Sequence, residues 1–250
     1  MFSPDVITLR HYYATPFGEG TRALIDASLR QFWPLASREM ILSIGFATPY
    51  LEQQCTQDVT SVVCMPAEQG AAYWPTQGDN RVFLAYESEL PIAESSVNRL
   101  LLMHMIEHSE QLDTLIKEAY RVLVPGGRLL AVVPNRLGLW ARSPRSPFGY
   151  GRPFSHAQVR ELLAEHGLTV VRSGSALFIP PTYLRIVWKV AKRIEAIGKL
   201  LCPFIGGVLL VEAEKQLYAG IKQPVVMRQP YAVPQAASKP ILGMEYQENR

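Results

Sequence analysis

Cysteine is scarce in this chain. Only three of 250 residues are Cys, at positions 55, 64 and 202, too few and too scattered for a disulfide framework or a zinc-ligand spacing. The expectation is a reduced, cytoplasmic protein without a metal site. Strong charge of either sign is also missing: 25 basic against 22 acidic residues leave +3. Bulk charge then offers nothing to nucleic acid, and no nucleic-acid partner is expected. No apolar run reaches the roughly 18–20 residues that span a bilayer. The best candidate, 200–211, is broken by Pro203 and Gly206-Gly207. The first residues show no basic flank followed by an apolar stretch, so no secretory signal is expected. What is plentiful is apolar material. At 48% hydrophobic residues the chain can build a sizeable core, which excludes global disorder.

Short apolar runs at 40–44, 59–64, 81–85, 98–103 and 128–133 read as buried strands, with helical patterns among them. That alternation predicts an α/β fold with a parallel sheet and helices on both faces. The clearest helix carries Leu112, Leu115, Ile116, Ala119, Tyr120 and Leu123 on one face, and Pro125-Gly126-Gly127 is expected to end it. Ser155 reads as the N-cap of a helix to Glu165 that Gly167 closes. Two further strands are expected at 168–178, with a bend at Gly174, and at 208–215. The division expected is an N-terminal helical and aromatic segment over 1–35, with a helix from Glu19 to Phe32, then a main domain over 36–220. A basic helical insertion at 183–201 interrupts that domain, and a proline-containing flexible tail occupies 221–250.

In an open parallel sheet, ligands bind beyond the carboxyl ends of the strands where strand order reverses. The loop after the first strand reads Ser43-Ile44-Gly45-Phe46-Ala47-Thr48-Pro49. Further on stand Glu89-Leu90-Pro91, Ser95-Ser96-Val97-Asn98 and Met105-Ile106-Glu107-His108. Glu118-Ala119-Tyr120-Arg121-Val122-Leu123 then runs into Val124-Pro125-Gly126-Gly127-Arg128-Leu129. Together, over roughly 38–180, these motifs resemble the class I S-adenosylmethionine (SAM)-dependent methyltransferases of the ubiquinone-biosynthesis-like type. The 208–218 run resembles that family's final strand. The resemblance implies a Rossmann-like, seven-stranded, mostly parallel sheet with the last strand antiparallel. It also implies SAM as cofactor.

The departures from the family pattern cluster where the cofactor sits. Of an acidic-x-G-x-G-x-G loop this chain keeps one glycine: Ser43 replaces the acid, Gly45 remains, and Ala47 and Pro49 replace the others. Ala47 adds only a methyl group. Pro49 removes an N–H that the first turn of a helix does not need. Aligned on Pro66, the acid that accepts the ribose hydroxyls becomes Val63, followed by Cys64. Losing such a partner costs about 1.5–3 kcal/mol. The acid that meets adenine aligns with Tyr86, next to which Glu87 can substitute. The cofactor contacts expected on this resemblance are Ser43, Gly45, Ala47, Thr48, Val63 and Cys64 through their backbone, Glu87 and Met103.

Methyl transfer from a sulfonium needs alignment and exclusion of water more than covalent help, with a base only when the acceptor must lose a proton. The catalytic candidates are His104, directly after the fourth strand, and His156, near a helix N-terminus that favours neutral imidazole. For both, the bland alternative is a polar lining residue. Glu107 and His108 read as holders of the strand-to-helix turn, and His166 as a cap. His11, Tyr12 and Tyr13 form either a lid or ordinary packing.

Two basic segments stand out. Residues 136–152 hold four arginines and no acid, and 183–201 hold five basic residues and one acid, leaving a net −5 on the remainder. An anionic acceptor, a protein partner or a membrane surface fits them, as does plain solvation of the loop or packing of the helix. Three readings follow. The first is a SAM-dependent methyltransferase acting on a small or lipid-like, anionic acceptor. The second is a catalytically silent relative that works as a binding or regulatory partner. The third is a crevice for another nucleotide-like ligand.

Overall fold

Seven apolar runs become seven strands in the computed structural model, which describes residues 4–34, 38–52 and 59–216. The tail assigned to 221–250 lies outside the described residues. In chain order the elements are α1 (Val6–Ala14), α2 (Pro16–Phe32), β1 (Met40–Gly45), α3 (Thr48–Leu51), β2 (Thr60–Pro66), β3 (Val82–Ala85) and β4 (Val97–Met103). They continue with α4 (Leu112–Val122), β5 (Leu123–Pro134), α5 (His156–Glu165), β6 (Leu168–Ala176), α6 (Arg185–Lys189), α7 (Ala191–Leu201) and β7 (Val208–Lys215).

The sheet order is β3-β2-β1-β4-β5-β7-β6. Strand β7 runs antiparallel to both neighbours, and the other six are parallel. Order reverses between β1 and β4, whose carboxyl ends, Gly45 and Met103, lie side by side. Both faces are apolar, as expected of strands covered on two sides. One cluster joins Ile41, Val63 and Leu101 to α1 and α2 through Leu9, Phe17, Ile25 and Leu29. The other joins Leu42, Leu100 and Leu129 to α4 and α5 through Leu115, Ile116, Val159 and Leu163.

Several boundaries differ from the pattern reading, each for a local reason. The expected helix at 19–32 begins at Pro16, because Thr15 caps it by accepting from Gly18 N at 3.0 Å. Helix α1 precedes it, capped by Asp5, which accepts from Thr8 N at 2.8 Å. Helix α4 stops at Val122, before Pro125-Gly126-Gly127, because Leu123 already pairs with Val97; the Pro-Gly-Gly run falls inside β5, where the register shifts. The irregularity of β6 falls between Val170 and Arg172, while Gly174 stays paired with Leu210. The single helix expected over 183–201 is two, interrupted at Val190. Helix α5 keeps its expected ends, with a full capping box between Ser155 and Gln158 and Gly167 at φ +81°.

Candidate active site

The crevice is built where β1 and β4 end together. Gly45 sits at φ +92°, and a Cβ there would lie 2.2 Å from the Met103 carbonyl oxygen. The glycine is demanded by the neighbouring strand as well as by its own backbone. Met103 O in turn accepts from Phe46 N at 3.0 Å. The next residues turn inward: Phe46 and Ala47 are buried, Thr48 and Pro49 open α3, and Tyr50 faces the core.

His104 leaves β4 at φ +53°, in the left-handed region that few non-glycine residues adopt. Its buried ring is held between two groups. The Tyr13 hydroxyl, from α1, lies 2.7 Å from Nε2, and Glu107 Oε1 lies 3.3 Å from Nδ1, although too poorly aligned for a hydrogen bond. Tyr13 also meets the Tyr50 hydroxyl at 2.9 Å and stacks on Phe46 with centroids 5.9 Å apart. Burial pushes the Tyr13 and Tyr50 phenols well above their usual range, so both stay protonated. Phe148 closes the far side, 4.7 Å from the His104 ring. It comes from the basic 136–152 segment, whose Arg152 fastens that loop to the site floor through its N–H to Glu107 O at 2.9 Å and its guanidinium to Ser109 O.

Beside His104 lies a cavity of about 90 Å³, walled by the exits of β2, β3 and β4. Among the residues that line it, Gln69 Oε1, both ring nitrogens of His108 and Ser109 Oγ are buried atoms without a hydrogen-bond partner, and His104 Nδ1 faces only Glu107. Buried polar groups are nearly always satisfied, so the fold alone does not account for this concentration. Glu68 and Glu87 stand at its rim, and Glu87 Oε1 accepts from Gln111 N at 3.0 Å. Acids at a rim and polar side chains within are the chemistry a nucleoside would need, but the cavity does not hold one at its present size. Over the first-strand loop, Tyr13 stacks on Phe46 and meets the Tyr50 hydroxyl, so these three side chains are committed to one another. The whole cavity is well below the roughly 300–1,000 Å³ of ordinary ligand pockets.

The remaining candidates are scattered. Glu87 borders the cavity, as does His108, whereas Met103 ends β4 outside the lining and its neighbour Met105 takes that place. Ser43 is fully buried within β1, between Val63 and Leu101. Val63 and Cys64 lie inside β2, which runs on to Pro66, so neither reaches the crevice and the acid at the strand exit is Glu68. Burial raises the Cys64 thiol to about 12, which leaves it inert. Thr48 faces a separate hollow of about 380 Å³ that Arg10, Tyr13 and Trp74 also line. His156 packs edge-on to Phe204 and lies 3.5 Å from Ser175 Oγ, sharing no partner with His104. Among the described residues, no group of three His, Cys, Asp or Glu is placed to hold a metal. Sequence reasoning missed Glu68, Gln69 and Phe148. The apolar run continuing through Met65 was the available signal that β2 ends later.

Residues 42–131 match the family described as "Methyltransferase domain". Over 85 residues the chain is 34% identical to a protein of Mycolicibacterium smegmatis named as a probable S-adenosylmethionine-dependent methyltransferase, a match spanning 33% of each chain. The chain therefore aligns with only about a third of that curated relative's length. Among solved structures, a SAM-dependent methyltransferase from Thermotoga maritima shares 14% identity with a TM-score of 0.61, over 84% of this chain and 96% of the other. The phosphoethanolamine N-methyltransferase 2 of Haemonchus contortus, solved with S-adenosyl-L-methionine, shares 15% with a TM-score of 0.51, over 84% and 57%. At these identities the structures speak for the fold.

Proposed function

We propose that this chain is a class I SAM-dependent methyltransferase, a reading supported by the methyltransferase-domain match over 42–131 and the relative it resembles, and that it transfers a methyl group to a small acceptor admitted beside His104. The observation that carries this reading is the group of residues with unpartnered buried polar atoms that line the cavity at the β4 exit, next to a histidine held between a phenol and a carboxyl. When bound, SAM supplies an activated methyl on a sulfonium. The chain's own work is positional. Glu68 and Glu87 are the acids at the rim, and Gln69, His108 and Ser109 supply unpaired polar atoms within. Glu107 opposite Nδ1 favours a proton on that nitrogen. Nε2 is then the free acceptor whenever Tyr13 withdraws, and it can take a proton from an acceptor group. Phe148 and Phe46 keep water from that point. A lipid-like or anionic acceptor is the finer form of the proposal, supported by the arginines of the 136–152 segment around Phe148.

One observation favours a second reading, in which the protein binds a partner or a shorter ligand and transfers nothing: the buried Tyr13, bonded to Tyr50 and stacked on Phe46, occupies His104 Nε2. The two readings separate on Tyr13. The experiment is calorimetry and thermal shift with SAM and with its demethylated product, on the natural chain and on Tyr13→Ala. Methyl transfer requires saturable binding by the natural chain, tightened about tenfold or more in Tyr13→Ala because the phenol no longer has to be displaced. If neither protein responds to either compound, the methyltransferase reading is wrong.

A further inference from the structure

Nine of the sixteen exposed large apolar side chains among the described residues fall within 183–205. The packing of α7 explains why they are conspicuous. Its inner face is used: Ala191 is buried, Ile194 packs on the core, and Gly198 lies against Phe178 so closely that a Cβ would stand 2.5 Å from that ring. Its outer face is apolar too. Ile197, Leu200 and Leu201 are 56, 81 and 71% exposed at positions three and four apart, and Phe204 and Ile205 extend the seam beyond the helix. A helix apolar on both sides is one that expects cover on both sides.

The exposed charges within 183–205 have one sign. The only acid of the segment, Glu195, turns inward and accepts from Phe178 N at 2.5 Å. Lys199 reaches sideways to Ser28 Oγ at 2.9 Å. Arg185, Lys189, Lys192 and Arg193 remain exposed around the apolar seam. The second basic segment joins them, since the Arg145 guanidinium lies 5.8 Å over the Tyr183 ring. Exposed Leu137 and Leu139 flank Gly138, which abuts the Gly206 backbone next to Ile205.

We infer that the outer face of α6–α7, with Phe204 and Ile205, is a seat for an anionic lipid surface, on which the aliphatic seam enters the interface while the flanking cations meet headgroups. This goes beyond methyl transfer and does not depend on it. Aliphatic and aromatic residues framed by lysine and arginine, with no exposed acid, are complementary to such a surface. A second copy of the same face would set cation against cation with no counter-charge. Spanning the bilayer is excluded for this element, whose longer helix has 11 residues.

The test is co-sedimentation of the full chain with vesicles of phosphatidylcholine alone and of phosphatidylcholine with phosphatidylglycerol, with light scattering in parallel. Binding to the anionic vesicles only, weakening as salt rises, is expected. Lys192→Glu with Arg193→Glu should lower it roughly 25-fold or more, at about fivefold for each cation removed. Leu200→Glu with Leu201→Glu should abolish it. All four side chains are exposed, so both variants should keep the natural melting temperature. The inference is overturned if the chain ignores anionic vesicles, if neither pair of substitutions alters binding, or if light scattering finds a dimer that the leucine substitutions dissociate.

Discussion

At the residue scale, two glycines separate what a backbone angle demands from what a neighbour demands. Gly45 and Gly78 both sit at strongly positive φ, +92° and +95°. A Cβ at Gly78 meets nothing within 4 Å, whereas at Gly45 it strikes the Met103 carbonyl. Gly78→Ala should therefore cost about 1 kcal/mol, the conformational share alone. Gly45→Ala should cost at least about 2 kcal/mol more, because β1 and β4 must part. Urea unfolding of both variants reads the difference directly, and equal costs would mean that the strand contact is soft. This residue was legible in the sequence as the surviving glycine of the first-strand loop, as was His104 at a strand end. Tyr13, Glu68 and Phe148 were not legible as a group. They come from three separate stretches of chain and meet His104 or its cavity only through the tertiary fold, to which local pattern is blind.

At the scale of elements, the strands were readable because β1, β2, β4, β5 and β7 are largely buried on both faces and so carry apolar runs such as 100–103, 129–133 and 208–211. Caps were readable where side-chain chemistry announces them. Helix α5 is the clear case, since Ser155 and Gln158 satisfy each other's backbone N–H groups at 3.3 and 3.0 Å. Ser155→Ala should cost about 0.5–2 kcal/mol, measured by thermal or denaturant unfolding. No loss would show that the helix start is held by packing instead. Helix α1 was missed for a physical reason. Its buried positions are Val6, Leu9, Tyr12 and Tyr13, and the polar ends of two tyrosines blur the apolar face. Those polar ends are what the element contributes, through Tyr12 to Thr21 at 3.0 Å and Tyr13 to His104. The true end of β2 was obscured because Pro66 reads as a breaker, yet as the last residue of a strand it needs no donor there.

At the scale of the whole molecule, burial makes stability depend on pH. Partial burial lowers His108 below its usual 6.5, opposed by Glu107 and reinforced by His104. Burial also lowers His156, aided by Arg160. The unfolded chain then binds these protons more readily than the folded one. The stabilisation is complete above the unfolded value and is lost as pH falls through the folded values. The melting temperature should hold steady above the ordinary histidine value of 6.5 and decline as pH falls below it. His156→Gln should flatten part of that decline, and an unchanged slope would remove His156 from the account.

Strand β7 carries a consequence of another kind. It lies between β5 and β6 and pairs with both, yet it follows both in the chain. Until it arrives, β6 has no partner and β5 presents an open edge beside β4. A chain still emerging from the ribosome therefore carries two unpaired strand edges through the synthesis of 177–207, a window in which pairing with another nascent chain competes with completion. The last of the seven strands to be made is the one that locks the sheet.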